Sequence, residues 1–267
     1  MNSTFKLILA SLALTAAGFS NPSFALPAGW TCDGVCGDLG PDGVVTAPPT
    51  YGPGYSYITT NGSSYFPAGL ALGSETNGSV ATSPLFGATA GDALAFYFNY
   101  VTSDGAGFIE YAWAQLLDGT NTVVATLFDA RTNPTPGADT VPGFGMPSIT
   151  ATIVPPSTPI IPGGPVWSPL GGYSGSCYAT GCGYTGWIAA TYGIPTDGNY
   201  YLQFGVVNWL DTIYDTGLAF AGATIGGKPI CTPGVDCFSV PEPGSLALLG
   251  LGLAFVGGLT WLRRRRV

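Results

Sequence analysis

Histidine is missing from all 267 residues, and charge is scarce: Lys and Arg number 7, Asp and Glu 15, together 8% of the chain. Without an imidazole there can be no Ser-His-Asp triad, no histidine general base and no His-dependent zinc site. Basic residues are scarcer still once their positions are read. Lys6 stands near the N-terminus and Arg263, Arg264, Arg265 and Arg266 lie at the other end, which leaves Arg131 and Lys228 between them. Against those two stand all the acidic residues except Glu242, so residues 26–239 carry a formal charge of about −12. Such a surface repels phosphate backbones, which argues against nucleic acid as a partner, and it favours divalent cations or neutral glycans. Long helices are disfavoured too, because 41 Gly and 23 Pro suit short strands joined by many turns.

Long apolar runs occur only at the two ends. Residues 1–25 read as a signal peptide: Lys6, an apolar core LILASLALTAAGF, then Ser23-Phe24-Ala25, whose small residues suit cleavage by signal peptidase after passage through the Sec translocon. At the other end Val240-Pro241-Glu242-Pro243 precedes an uncharged run, Leu246 to Leu262, and the four arginines. As a helix that run rises roughly 25 Å, the short end of what crosses a bilayer. The expectation is a transmembrane helix over 245–262, with Arg263 to Arg266 as a cytoplasmic stop-transfer cluster. A buried core helix is disfavoured, since the run has no polar face to offer solvent. The segment between, 26–239, is then extracytoplasmic.

The order Pro-Glu-Pro, Gly-rich apolar run, arginine cluster resembles the PEP-CTERM sorting signal of Gram-negative bacteria. The resemblance implies recognition of Pro241, Glu242 and Pro243 by an exosortase, an integral-membrane Cys protease or transpeptidase. It implies an inner-membrane-anchored precursor that becomes a cell-surface or extracellular protein, and an association with exopolysaccharide and biofilm. It says nothing of what the cargo does.

The cysteines fall in close pairs, Cys32/Cys36, Cys177/Cys182 and Cys231/Cys237. In an oxidising compartment such spacing reads as local disulfides; the alternative, a thiolate metal site, needs four sulfurs at one point. Between them the chain is strand-like. Asp92–Val101 and Phe108–Leu117, then Asp118-Gly119 and Thr122–Asp129, predict a three-stranded meander whose last two strands form a hairpin. Residues 133–165 are rich in Pro and Gly and read as a long loop within one domain, carrying a strand over 148–154. Asn199–Asn208 alternates, with Tyr201, Phe204 or Val206 to one face and Gln203 and Gly205 to the other. Asn61 and Asn77 open Asn-Gly-Ser sequences that fit a glycosylation acceptor, though plain Asn-Gly turns explain them as well. The phrase DTIYDTGLAFAG and the segment YVTSDGAGFIEYAWAQLLD resemble exported bacterial domains of the choice-of-anchor type. That likeness implies an all-β, jelly-roll-like β-sandwich, and transfers no catalytic residue.

Three chemistries are then open for the exported domain. Asn208, Asp211 and Asp215 lie in one connection between strands, and with backbone carbonyls and Asp104 or Glu110 they can supply the six to eight oxygens calcium takes. The same aspartates can instead cap turns through their own backbone amides. A glycosidase needs two facing carboxylates, and Glu75 and Glu110 are the only glutamates in the segment. Trp113, Trp167, Trp187 and Trp209 can stack on sugar faces or fill the core. The reading that follows is a non-enzymatic surface or matrix protein, with a calcium-stabilised carbohydrate-binding module as its alternative.

Overall fold

A computed structural model describes residues 26–49, 52 and 54–232. The predicted signal peptide, the Pro-Glu-Pro motif, the predicted membrane helix 245–262 and Cys237 lie outside the described residues. Among the described residues no helix is long and apolar enough to cross a membrane.

The chain forms strands β1 (Thr31–Asp33), β2 (Val35–Leu39), β3 (Tyr55–Thr59), β4 (Glu75–Thr82), β5 (Phe86–Ala88), β6 (Ala93–Thr102), β7 (Tyr111–Asp118) and β8 (Val123–Arg131). The long loop follows, with β9 (Asp139–Val141), β10 (Thr152–Val154), β11 (Thr158–Pro159) and β12 (Ile161–Pro162). A short 3-10 turn at Ser168–Tyr173 leads to β13 (Gly183–Tyr184), β14 (Ile188–Gly193), β15 (Gly198–Trp209), β16 (Thr216–Ile225) and β17 (Lys228–Pro229). One antiparallel sheet runs β1-β4-β15-β7-β8, with β5 also on β15. The second runs β10-β14-β6-β16-β3-β2. The fold class is all-β, and the two sheets pack face to face as a sandwich.

Alternation decides which side chains fill the space between them. Phe96, Phe98, Leu218 and Phe220 from one sheet meet Ala114, Leu116, Phe128 and Phe204 from the other in a single core. Rings cross the interface directly: Phe98 stacks on Phe128 with centroids 3.7 Å apart, and Phe204 on Phe220 at 4.3 Å. Trp30 closes one edge, stacked on Phe204 and donating its indole N–H to the Ile230 carbonyl at 2.9 Å. Tyr201 lies on the opposite face from Phe204 and Val206, because strand parity is strict; Leu202 takes the inward place instead.

The meander expected over 92–129 is only half right. The β7–β8 hairpin forms around Asp118-Gly119, with Asp118 Oδ1 accepting from the Thr120 and Thr122 amides. However, β6 pairs with β14 and β16 in the other sheet, so the chain from β6 to β7 crosses the sandwich. The connection from β15 to β16 crosses it too. Both crossings meet at one end, where the Ser103 amide donates to the Asp215 carbonyl at 3.1 Å.

Disulfides secure the crossings. Cys32–Cys36 joins β1 of one sheet to β2 of the other, with Gly34 between them at φ +100°. Cys177–Cys182 closes a loop that lies on the β6–β7 crossing, where the Tyr178 amide donates to Ser103 O and the Ala106 amide to Thr180 O. Cys231 is also disulfide-bonded. The 133–165 loop packs onto this same body: β10 pairs with β14 and β12 with β13. Its expected strand over 148–154 is shorter, Thr152–Val154.

Candidate functional site

The inward parity of β15 (Leu202, Phe204, Val206) continues to Asn208, and that of β7 (Leu116, Ala114, Ala112) continues to Glu110. Val207 pairs with Tyr111, so one step outward sets Asn208 opposite Glu110. At this end the apolar filling stops and polar groups take over. Asn208 is fully buried and Glu110 and Asp104 are 1% exposed. Glu110 Oε2 accepts hydrogen bonds from Thr102 at 3.1 Å and from Thr216, while Asp104 Oδ1 accepts from the Gly105 amide at 2.7 Å. Glu110 Oε1, Asp104 Oδ2 and both amide atoms of Asn208 are buried without a partner. Asn77, on β4, gives its amide N–H to the carbonyls of Thr60 and Ser63, and its Oδ1 is likewise unpartnered.

Burial governs the electrostatics. It pushes the Asp104 carboxyl up to about 7, with the neighbouring Asp211 charge adding to the shift and the Gly105 amide opposing it. Glu110 is raised well above the usual carboxylate range by burial first and then by the Asp104 charge. Asp215 rises to about 6 through burial, opposed by the hydroxyl of Thr60. No basic side chain among the described residues relieves them. Arg131 faces the other side of its sheet, donating to Ile109 O at 2.8 Å and lying 4.3 Å over the Trp209 ring.

A cavity of about 420 Å³ opens at the same end, lined by Asn61, Ser63, Phe66, Asn77, Tyr173, Thr212 and Asp215. Phe66 is 69% exposed. From Tyr173 a strip of rings continues outward: Tyr214 at 4.7 Å, Tyr178 at 5.1 Å from Tyr214, and Phe108 at 5.6 Å from Tyr178. Aromatic faces beside hydroxyl and amide groups are what a neutral sugar ring needs from a binding surface.

The residues singled out from sequence divide sharply. Asn208 and Asp215 do come to one place, but inside the sandwich end rather than on a surface turn. Asp211 caps its own turn, its Oδ1 accepting from the Ile213 amide at 3.0 Å, while its charge still bears on Asp104. Among the described residues no three Cys, Asp or Glu gather closely enough to hold a metal by themselves, so a cation there would depend on amide and hydroxyl oxygens as well. Glu75 and Glu110 do not face one another. Glu75 lies on the outer side, accepting from the Tyr111 hydroxyl at 2.6 Å and the Gly73 amide at 2.7 Å, and Tyr111 and Glu110, as neighbours along one strand, point to opposite faces.

The tryptophans are not a sugar platform. Trp113 and Trp167 are buried, Trp187 donates to Thr46 O, and Trp209 lies under Arg131. Asn77 is buried within β4, which rules out both a turn and an accessible acceptor there, whereas Asn61-Gly62 is a true turn with the Ser63 amide returning to Thr60 O. The ring strip was missed because Phe108, Tyr173, Tyr178 and Tyr214 lie outside the strands, where no periodicity signals a shared face. The inward polar positions were findable: strand alternation carried past Val206 and Ala112 reaches Asn208 and Glu110.

Residues 239–266 match the PEP-CTERM protein-sorting motif. The chain carries a PEP-CTERM sorting signal. Pro241, Glu242, Pro243 and Arg263 to Arg266 all fall inside the matched residues. The motif marks an exported protein processed by an exosortase-type membrane enzyme, its precursor anchored in the membrane before it passes to the surface. The match covers the tail alone and leaves the sandwich unassigned. No curated protein matches the chain.

Proposed function

We propose that the exported domain is a non-catalytic, glycan-binding protein of the cell surface or extracellular matrix, delivered by PEP-CTERM sorting and associated with exopolysaccharide. The observation that carries this reading is the open cavity lined by the rings of Phe66 and Tyr173 together with Asn61, Ser63, Asn77, Thr212 and Asp215. Stacking on the rings and hydrogen bonding to the polar groups select sugars without needing charge, which suits a neutral polymer beside an acidic protein. Catalysis is not part of the reading, because the two glutamates face different sides of one sheet and no histidine is available. A calcium ion belongs to the reading as a stabiliser of the domain, and its residues are argued below.

Two experiments test it. Titration of the mature protein with fragments of the host exopolysaccharide is expected to give saturable binding, and Tyr173→Ala or Phe66→Ala to weaken it about threefold to tenfold, the worth of one stacked ring. Absence of binding to any fragment leaves a matrix protein without a discrete ligand and removes the glycan reading. For the sorting, Glu242→Ala is expected to leave an unprocessed precursor in the membrane fraction; normal processing of that variant contradicts the assigned recognition residues.

A further inference from the structure

We infer that the crossing end of the sandwich is a divalent-cation site, built for calcium by Asp104 and Glu110 from the β6–β7 crossing and by Asn208 from the end of β15. The inference deepens the calcium element of the proposed function and does not depend on the glycan element. Three features carry it together. Glu110 and Asn208 are set opposite one another by the β7–β15 register and point between the sheets. Each has an oxygen buried without a hydrogen-bond partner, as does Asp104. No basic side chain among the described residues offsets the two carboxylates.

Unpaired buried oxygens are costly, because they give up hydrogen bonds to water and regain none, and a charged group loses more. A domain that has only two basic residues in its exported length cannot neutralise such a cluster from its own side chains. A hard divalent cation does so at a stroke, because it takes the three oxygens as ligands and cancels both carboxylate charges. Calcium fits better than magnesium. Calcium accepts an irregular shell of carboxylate, amide and carbonyl oxygens, whereas magnesium demands a near-ideal octahedron and keeps its waters. Asn77 Oδ1, also buried and unpartnered on the neighbouring strand, is a further neutral donor at this end. The cation would also tie together the two crossings, since Asp104 and Glu110 flank one and Asn208 opens the other. Asp211, which the turn pattern nominated, is left as a turn cap.

The test uses the mature protein stripped with EDTA and then titrated with calcium chloride by calorimetry, alongside thermal melts. One calcium per chain and a rise in melting temperature are expected, with no comparable rise from magnesium at equal concentration. Glu110→Gln and Asp104→Asn are expected to weaken calcium binding about 100-fold or more, since ligand charge sets affinity in such sites. In EDTA both variants should melt at or above the wild type, because each amide keeps the shape of the carboxyl and cannot take on the ionised form that burial opposes. That pattern separates a ligand from a merely structural residue, whose loss lowers the melt with and without the metal. The inference is overturned if stripped wild type binds no calcium, if magnesium serves equally, or if Glu110→Gln keeps the wild-type calcium response. Tyr173→Ala, expected to impair glycan binding alone, keeps the calcium response, so failure of the glycan reading and failure of this one are distinguishable.

Discussion

The middle of the sandwich and its crossing end are built by the same strands and filled in opposite ways. In the middle, β6, β8, β15 and β16 send Phe96, Phe98, Phe128, Phe204 and Phe220 inward. These rings make cross-sheet contacts and leave no polar atom to satisfy. Towards one end, the inward places of β6, β15 and β16 and the position just before β7 are taken by Thr102, Asn208, Thr216 and Glu110. Glu110 Oε1 and Asn208 Oδ1 have no protein partner. A core that only had to be stable would continue its apolar filling to the last pair, since burying an unpaired carboxylate opposes folding. The change falls at the end where both crossing loops and the cavity also lie, which is what the proposed cation site requires.

The sharpest way to break the comparison is to cut into the middle. Phe204→Ala removes a ring that contacts Trp30, Phe96, Phe128 and Phe220, and is expected to cost about 3–5 kcal/mol in a denaturant melt. The loss should be the same with calcium and with EDTA, because the ring has no part in the polar end. Next comes Gly205→Ala. Trp113 lies flat against Gly205, so an added methyl drives into the indole; overpacking of this kind is expected to cost about 1–3 kcal/mol. A neutral result would mean that Trp113 is free to move.

Serine at both Cys32 and Cys36 removes the clip between β1 and β2 and is expected to cost about 2 kcal/mol, read as an earlier melt. Proteolytic nicking should then begin near residues 31–39, while calcium binding at the far larger crossings stays intact. The smallest effect expected is on the outer face. Asp129 is buried under the 143–146 loop, with Oδ1 accepting from the Gly143 amide at 2.7 Å and Oδ2 unpartnered. Burial raises its carboxyl to about 7, opposed by that amide, and the nearest charge on its face, Arg131, is held over Trp209. Since the folded value lies above the usual carboxylate value, the stability tied to this group is complete below about pH 4 and is lost as pH rises through about 7. Asp129→Asn should therefore raise the melting temperature most at pH 8 and distinctly less at pH 5, where the folded carboxyl is still protonated. Equal effects at both values would contradict the burial argument.

Much of the fold was legible in the sequence. Dense β-branched and aromatic runs gave β6, β7, β8 and β15 to within a few residues, and Asp118-Gly119 gave the hairpin, because alternation and turn chemistry are local. The assignment of β6 and β7 to different sheets was not legible. Alternation says which residues share a face, but a connection such as 103–110 is long enough either to turn back or to cross. The candidate site divided along the same line. Asn208, Asp211 and Asp215 stood out as polar residues bordering apolar strands, but a turn pattern could not reveal that Asn208 is fully buried while Asp211 caps its own, partly exposed turn. The ring strip from Tyr173 to Phe108 is assembled from three separate connections, and only the packed fold brings it together.

The central claim is that the polar end of this sandwich is completed by calcium, and one comparison tests it most directly. Wild type and Glu110→Gln are melted side by side, each once with excess calcium and once with EDTA. The account predicts that calcium raises the wild-type melt and leaves Glu110→Gln unmoved, while in EDTA the variant melts at or above the wild type. A calcium shift of equal size in both proteins, or none in the wild type, would contradict it.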